Sequence, residues 1–355
     1  MDLRQTCIYL TRICPYRCNY CNLCHSNLAK PEMSTEKWLE ALRILKKNGI
    51  SFNLFLGNET WLFKQDLIRI IKETPIPYAM YTSCNPNVFR KYADEMFSNG
   101  LDSLSCGCDT IQTEWKDRQN DEERKAFYAL QAFLYTRQKY PNVDCQATCT
   151  IGGSNVHEVA SLVNNFSHII KMFVGLNYIH ANTDGGFDFF PEIAKMRDTG
   201  TLLDSQYKFA LLGRLHDELY LMLHKHGDHR VQNLEDFLNI PLVFGKTGVT
   251  NDLWHCNGNP YGGPTIDADG SLRLCGYRKG TTVSEMSIFD LDSKDGWSEW
   301  QRRVKADSAQ CPGCVWSYPR LYASLLKNPE FAKKVFNNHA IASLPESEWS
   351  TRVVE

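Results

Sequence analysis

A chain of 355 residues, 43% hydrophobic and 12% aromatic, is long enough for one large core or for a barrel with a small appended module. Its formal net charge of −2 and sequence pI of about 6.6 exclude a basic field for nucleic acid or for an anionic membrane surface. No apolar run reaches the roughly 18–20 residues of a membrane span, and the N-terminal apolar stretch, broken by Thr11 and Arg12, is no signal peptide.

The first half alternates short β-like runs with helical ones. Strands are expected near Gln5–Thr11, Phe52–Gly57, Pro77–Ser83, Ser103–Cys108, Asp144–Ile151 and Ile169–Leu176. Helices fit between them. Over Glu36–Asn48 the apolar residues Trp38, Ala41, Leu42 and Leu45 follow a helical period, and Gly49 stands where a C′ residue belongs. Lys64–Thr74, Pro86–Asn99, Asp121–Lys139 and Asn155–Phe166 follow suit. Such alternation implies βαβ units and a parallel sheet. Six units predict an α/β fold built as a partial (β/α)6 TIM-like barrel over residues 1–183, with chemistry on the loops after the strand C-termini. Beyond Asp184 the pattern changes. A connecting region, 184–250, holds a long helix near Ser205–His226, behind Asp204 as N-cap. A small module, 251–325, contains the hairpin sequence PTIDADGSLRLC with its turn at Asp269-Gly270. A helical tail, 326–355, completes the chain.

The chain has 14 cysteines. A secreted disulfide scaffold is short and core-poor; this chain is neither, so reduced thiols and a cytoplasmic location are expected. Cys14, Cys18 and Cys21 form a C-x3-C-x2-C loop directly after the first strand. Three thiolates on one loop can hold three irons of a [4Fe–4S] cube and leave the fourth open. The spacing alone also suits zinc, with Cys24 or His25 as a fourth ligand. Cys106, Cys108, Cys145 and Cys149 alternate along strands and read as small buried packing residues.

With Tyr20 before its last cysteine, the loop resembles the C-x3-C-x-aromatic-C signature of the radical S-adenosylmethionine (SAM) superfamily. The resemblance implies that SAM chelates the open iron through its amino and carboxylate groups. It further implies reductive cleavage to methionine and a 5′-deoxyadenosyl radical, which abstracts a substrate hydrogen. Gly57-Asn58-Glu59-Thr60 resembles the family's Gly-Gly-Glu motif, with Asn58 in place of the second glycine, and assigns Glu59 to the SAM amino group. The family usually places polar residues at these later strand ends to meet the SAM ribose and carboxylate, so the resemblance implies Asp109 for the ribose, with Ser83, Asn85 and Arg118 as further candidates. Asn155 matches an asparagine that the family often has after its fifth strand.

Cys256, thirteen residues, Gly270, four residues and Cys275, followed by Cys311-x2-Cys314, resemble the Twitch (short SPASM-type) extension. That resemblance implies an auxiliary [4Fe–4S] cluster held by all four cysteines. Spacing alone leaves a structural zinc ribbon open. The combined expectation is a radical SAM oxidoreductase, dehydrogenating or cross-linking a small molecule or a peptide precursor, with a flavodoxin- or ferredoxin-type electron donor. A redox-neutral epimerase or rearrangement enzyme and a non-catalytic iron–sulfur or zinc protein are the alternatives. The core starts at residue 1, which argues against a preceding leader-peptide-binding domain and tilts the expectation toward a small molecule or a peptide delivered by another protein. His180, Asn182 and Asp184 are further candidates for the substrate side.

Overall fold

A computed structural model describes residues 5–16, 18, 30–56, 59–73, 76–110, 121–152, 155–169, 173–178, 214–215, 217–219, 221, 262–274 and 285–309. Its frame is one eight-stranded sheet: β1 (Gln5–Tyr9), β2 (Phe52–Leu56), β3 (Tyr78–Thr82), β4 (Leu101–Gly107), β5 (Asp144–Ile151), β6 (Phe173–Tyr178), β7 (Gly262–Ile266) and β8 (Leu272–Arg273). The spatial order is β6-β5-β4-β3-β2-β1-β7-β8. Strands β1 to β6 pair in parallel and in chain order. Right-handed crossovers in a sheet whose order never reverses leave the connecting helices on one face. The described residues thus form an α/β fold whose parallel strands follow chain order.

The helices form where cap and period coincide. In α1 (Thr35–Lys47) the Ser34 side chain accepts from the Lys37 N–H, Glu36 sits in the first turn and Lys46 and Lys47 in the last. That charge order complements the helix dipole. Trp38, Leu42 and Leu45, spaced i, i+4, i+7, are completely buried. Helix α2 spans Lys64–Glu73 and α3 spans Pro86–Ser98, with Pro86 in its first turn. Helix α4 covers Asp121–Lys139. Near the end of the described chain, α6 (Gly296–Ser308) buries Trp300 and Val304.

Two expectations require correction. The helix foreseen at Asn155–Phe166 is shorter: residues 155–158 form a turn, α5 covers Val159–Val163, and Asn164–Ile169 widens into a π-helix. The sixth strand therefore begins at Phe173 instead of Ile169. The apolar run across these residues suits helix or strand equally, and periodicity alone does not place the switch. The long helix near Ser205–His226 lies mostly outside the described residues; 214–215, 217–219 and 221 are helical.

The predicted hairpin is present, with Gly270 at φ 85° in its turn. Its partner is unexpected. Strand β7 joins the same sheet in parallel beside β1, with Ile8 opposite Ile266, and the Thr6 hydroxyl donates to the Pro264 carbonyl at 2.5 Å. The hairpin thus extends the same sheet that carries the first cysteine loop.

On the outside, Asp94 of α3 clamps α4. It accepts hydrogen bonds from Tyr135 and Lys139, and from Tyr140 at 2.8 Å. The Lys139 hydrogen bond, then those of the two tyrosines, holds its carboxyl down at about 2. A lowered carboxyl stabilises above its ordinary value of 3.8 and loses that contribution as pH falls toward about 2. Because the clamp is exposed, Asp94→Ala is expected to cost under about 1 kcal/mol, less still in high salt. Denaturant melts at two ionic strengths check this; a salt-independent loss would contradict the electrostatic account.

Candidate functional site

The ends of β1 to β5 converge on one set of polar side chains. After β1 the backbone runs through Thr11 and Arg12 into the cysteine loop. Glu32, on the return limb, accepts from the Arg12 N–H at 2.6 Å and from the Thr11 hydroxyl at 3.1 Å. One carboxylate thereby closes the base of the loop. Cys14 is half-buried, Cys18 is buried, and neither is in a disulfide. Cys21 lies outside the described residues, as do Arg118, Cys256, Cys275, Cys311, Cys314, His180, Asn182 and Asp184.

Glu59 follows β2. Its backbone N–H donates to the Ile13 carbonyl at 3.2 Å, tying its loop to the residue before Cys14. Its side chain is almost fully buried. The carboxylate accepts from the Thr82 hydroxyl at 2.5 Å, from the Ser83 N–H at 3.1 Å and from the Ser83 hydroxyl. Burial raises the carboxyl to about 7; the donors from Thr82, Ser83 and Trp61, and the charge of Lys125, only partly offset it. Glu59 is thus a poised acid, oriented by neutral donors, in a place that rewards the arrival of a positive or N–H-bearing group.

Ser83 and Asn85 both reach this network. Asn85 also caps α3, its Oδ1 accepting from the Asn87 N–H at 3.1 Å, while its Nδ2 lies 3.5 Å from the Tyr16 hydroxyl. Tyr16, inside the cysteine loop, is raised to about 12, mainly by burial, with hydrogen bonds to Ser83 and Asn85 working against that. It links the loop to the end of β3.

Asp109 is buried after β4. Its Oδ1 accepts from the Thr150 N–H at 2.7 Å, and its Oδ2 lies 3.6 Å from the Lys125 ammonium. Asn155 donates to the Asp109 carbonyl at 2.7 Å and to the Thr150 carbonyl at 2.9 Å, and accepts from the Gly152 N–H at 2.8 Å. The β4 and β5 ends are therefore laced together. Cys106, Cys108, Cys145 and Cys149 are buried as packing residues, and burial pushes their thiols up. A buried, protonated thiol is inert.

Sequence reasoning missed Tyr16, Thr82, Lys125 and Arg12. Lys125 carried no signal beyond its place near the start of the helix after β4. Its ammonium stands 3.5 Å from Cys18 Sγ. Sequence reasoning also missed a buried charge cluster beneath the loop. The Arg12 guanidinium pairs with Asp267, which also accepts from Arg273 Nε at 2.8 Å, and both guanidinium groups lie over the Tyr9 ring, 4.9 and 5.2 Å from its centre. The hairpin turn is stitched to the returning limb by Met33 N–H to Ala268 O at 2.8 Å and by Lys30 N–H to Asp269 Oδ2 at 3.0 Å.

The described donors suit an iron–sulfur cluster. Two reduced thiols lie on one loop, at the mouth of a strand, with an ammonium beside one of them, and a cation favours the thiolate that metals require. Comparison with known proteins agrees. The sequence model of the Radical SAM superfamily matches residues 8–164. A probable GTP 3′,8-cyclase of Archaeoglobus fulgidus is 30% identical over 107 residues, 30% of this chain and 36% of that protein; the chain thus spans about a third of the curated relative. The crystal structure of Streptococcus suis SuiB bound to S-adenosylmethionine matches with a TM-score of 0.58 at 13% identity, over 87% of this chain and 68% of that one. Native anSMEcpe with bound AdoMet and Cp18Cys peptide matches at 0.56 and 14% identity, over 94% of this chain and 99% of that one. At these identities the structures establish a shared fold. Over the matched residues 8–164, with the cysteine loop at the mouth of β1, this chain carries a Radical SAM superfamily domain.

Proposed function

We propose that the chain is a radical SAM oxidoreductase on a partial (β/α)6 barrel, acting on a peptide or a small molecule. Cys14, Cys18 and Cys21 would hold the SAM-binding [4Fe–4S] cluster, which with SAM bound supplies the 5′-deoxyadenosyl radical that abstracts a substrate hydrogen. The observation that carries the reading is the tether from the Glu59 N–H to the Ile13 carbonyl. It couples the amino-binding carboxylate of the Gly-Asn-Glu-Thr loop to the cysteine loop, as a shared ligand demands. Thr82 and Ser83 orient that carboxylate, and their rotating hydroxyls can yield a lone pair to an incoming amino group. Asp109 would face the ribose, with Ser83, Asn85 and Arg118 completing the pocket. The SuiB fold also occurs bound to precursor peptide SuiA, and the anSMEcpe structure holds a peptide; these favour a peptide substrate here.

Cys256, Cys275, Cys311 and Cys314 would hold an auxiliary [4Fe–4S] cluster, a centre for one-electron exchange when bound. Support comes from the hairpin, whose β8 ends two residues before Cys275 and whose turn is fastened to the first cysteine loop. The described cysteines, none of them in a disulfide, fit a reducing cytoplasm. A flavodoxin- or ferredoxin-type protein would deliver the electron. Among the described residues no helix is long and apolar enough to cross a membrane.

Anaerobic reconstitution tests the reading. Iron and sulfide of about eight each per chain are expected for two cubes, falling to about four in a Cys14→Ala/Cys18→Ala/Cys21→Ala variant. With dithionite and SAM, the wild type should release 5′-deoxyadenosine and the variant none. Zinc in place of iron, or no 5′-deoxyadenosine from a cluster-replete sample, would defeat the proposal. A product lacking a two-electron mass change would instead favour the redox-neutral alternative.

A further inference from the structure

Lys125 has no task in the reading above. It lies near the start of α4, yet its side chain is only 12% exposed and turns inward across the end of β4. Three features put it there. Gly107 leaves room: a Cβ built on that residue would stand 2.9 Å from the Lys125 ammonium and 3.0 Å from its Cε. Asp109 supplies an opposite charge, its Oδ2 3.6 Å away, and is itself fixed by the Thr150 N–H. Cys18 Sγ, 3.5 Å away, stands at the distance of an N–H···S hydrogen bond. The cost of ordering a long side chain in a nearly dry place is met here by an anion and a sulfur together.

We propose that Lys125 is a positioning residue that sets the reduction potential of the Cys14 cluster, by donating to the Cys18 thiolate from an anchor on Asp109 and a gap at Gly107. This rests on the cluster assignment made above. An ammonium against a ligating sulfur stabilises the more negative, reduced state of a cluster, and hydrogen bonds to sulfur are among the known determinants of cluster potential. The positive charge therefore makes the first electron easier to deliver. Neither the cysteine spacing nor the motif at Glu59 supplies that property.

The test uses the full chain, reconstituted anaerobically, without SAM, so that no bound carboxylate competes for the ammonium. The cluster signal followed is the one lost in the Cys14→Ala/Cys18→Ala/Cys21→Ala variant. Its midpoint potential is measured by titration monitored by electron paramagnetic resonance. Lys125→Met is expected to lower the reduction equilibrium constant at least tenfold, about 59 mV more negative for one electron. Gly107→Ala keeps the lysine but pushes it off Cys18, and is expected to shift the potential in the same direction by less. It also serves should Lys125→Met fail to fold. A cluster that forms in both variants at wild-type potential overturns the inference while leaving the proposed function standing. Failure of the wild type to form this cluster overturns both.

Discussion

Replacing Asp267 with alanine is expected to destabilise the protein by about 3–5 kcal/mol, the cost of breaking a buried ion pair from one side. Asp267 is 3% exposed, Arg12 7%. Its Oδ2 accepts from Arg273 Nε at 2.8 Å and Nη2 at 2.5 Å; its Oδ1 pairs with Arg12 and accepts the Ala268 N–H at 2.9 Å. One carboxylate thus answers two guanidinium groups, that of Arg12 buried and that of Arg273 partly so. Among the described residues Arg12 Nε and Nη1 make no hydrogen bond, so without Asp267 the face of Tyr9 is what remains there against that cation. Denaturant unfolding measures the loss. An apolar replacement of all three, Arg12→Met with Arg273→Met and Asp267→Leu, should recover most of it, since exchanging a whole buried charge set for packed apolar side chains is often neutral. A loss below about 1 kcal/mol for Asp267→Ala would sink the argument. Function should follow stability here. Arg12 stands two residues before Cys14, and Asp267 and its neighbours in the turn hold both limbs of the loop, so Asp267→Ala should also lower iron occupancy after reconstitution.

What was legible follows from how local each signal is. Asp121–Lys139 matches its expected bounds, and the strands β1 to β5 sit within two residues of theirs at each end. Their apolar pattern and turn residues lie within the element itself. The turn at Asp269-Gly270 was legible for the same reason. The pairing of β7 with β1 was not: Thr6 and Pro264 are 258 residues apart, and only tertiary packing brings them together. Asn85 shows a signal read for one role that carries another as well. Asn before Pro is the start of a helix, and the structure uses its side chain as the cap of α3 while its amide reaches Tyr16. The motif singles out Glu59, but its burial and its donors were not legible, because Thr82 and Ser83 come from the neighbouring strand. Lys125 was invisible because what matters is the missing side chain at Gly107, two strand-end residues from Asp109.

SAM affinity of the cluster-loaded protein should rise about tenfold between pH 6 and pH 8, because in the proposed site Glu59 must ionise to accept the amino group fully. Burial holds this carboxyl at about 7 in place of its ordinary 4.5. With a raised carboxyl, the folded protein binds the proton more tightly than the unfolded chain. The contribution to stability is therefore favourable at low pH, declines as pH rises from 4.5 toward 7, and above that leaves an ionisation cost of about 3 kcal/mol. A ligand that hydrogen-bonds the ionised form relieves that cost and, below pH 7, releases a proton on binding. Glu59→Gln removes both effects. Its SAM affinity should be flat across this range and weaker than wild type at pH 8 by roughly 10–100-fold, the worth of a charge-assisted hydrogen bond. Its stability without SAM should improve relative to wild type by about 2–3 kcal/mol between pH 5 and pH 8. Anaerobic equilibrium dialysis with SAM gives the first comparison and denaturant melts the second. A pH slope that persists in Glu59→Gln would move the titrating group elsewhere, and equal affinity in the two proteins would remove Glu59 from the amino-group site. The stability comparison separates these outcomes from misfolding, since a side chain buried at a cost for ligand binding should leave the protein sturdier when its charge is taken away.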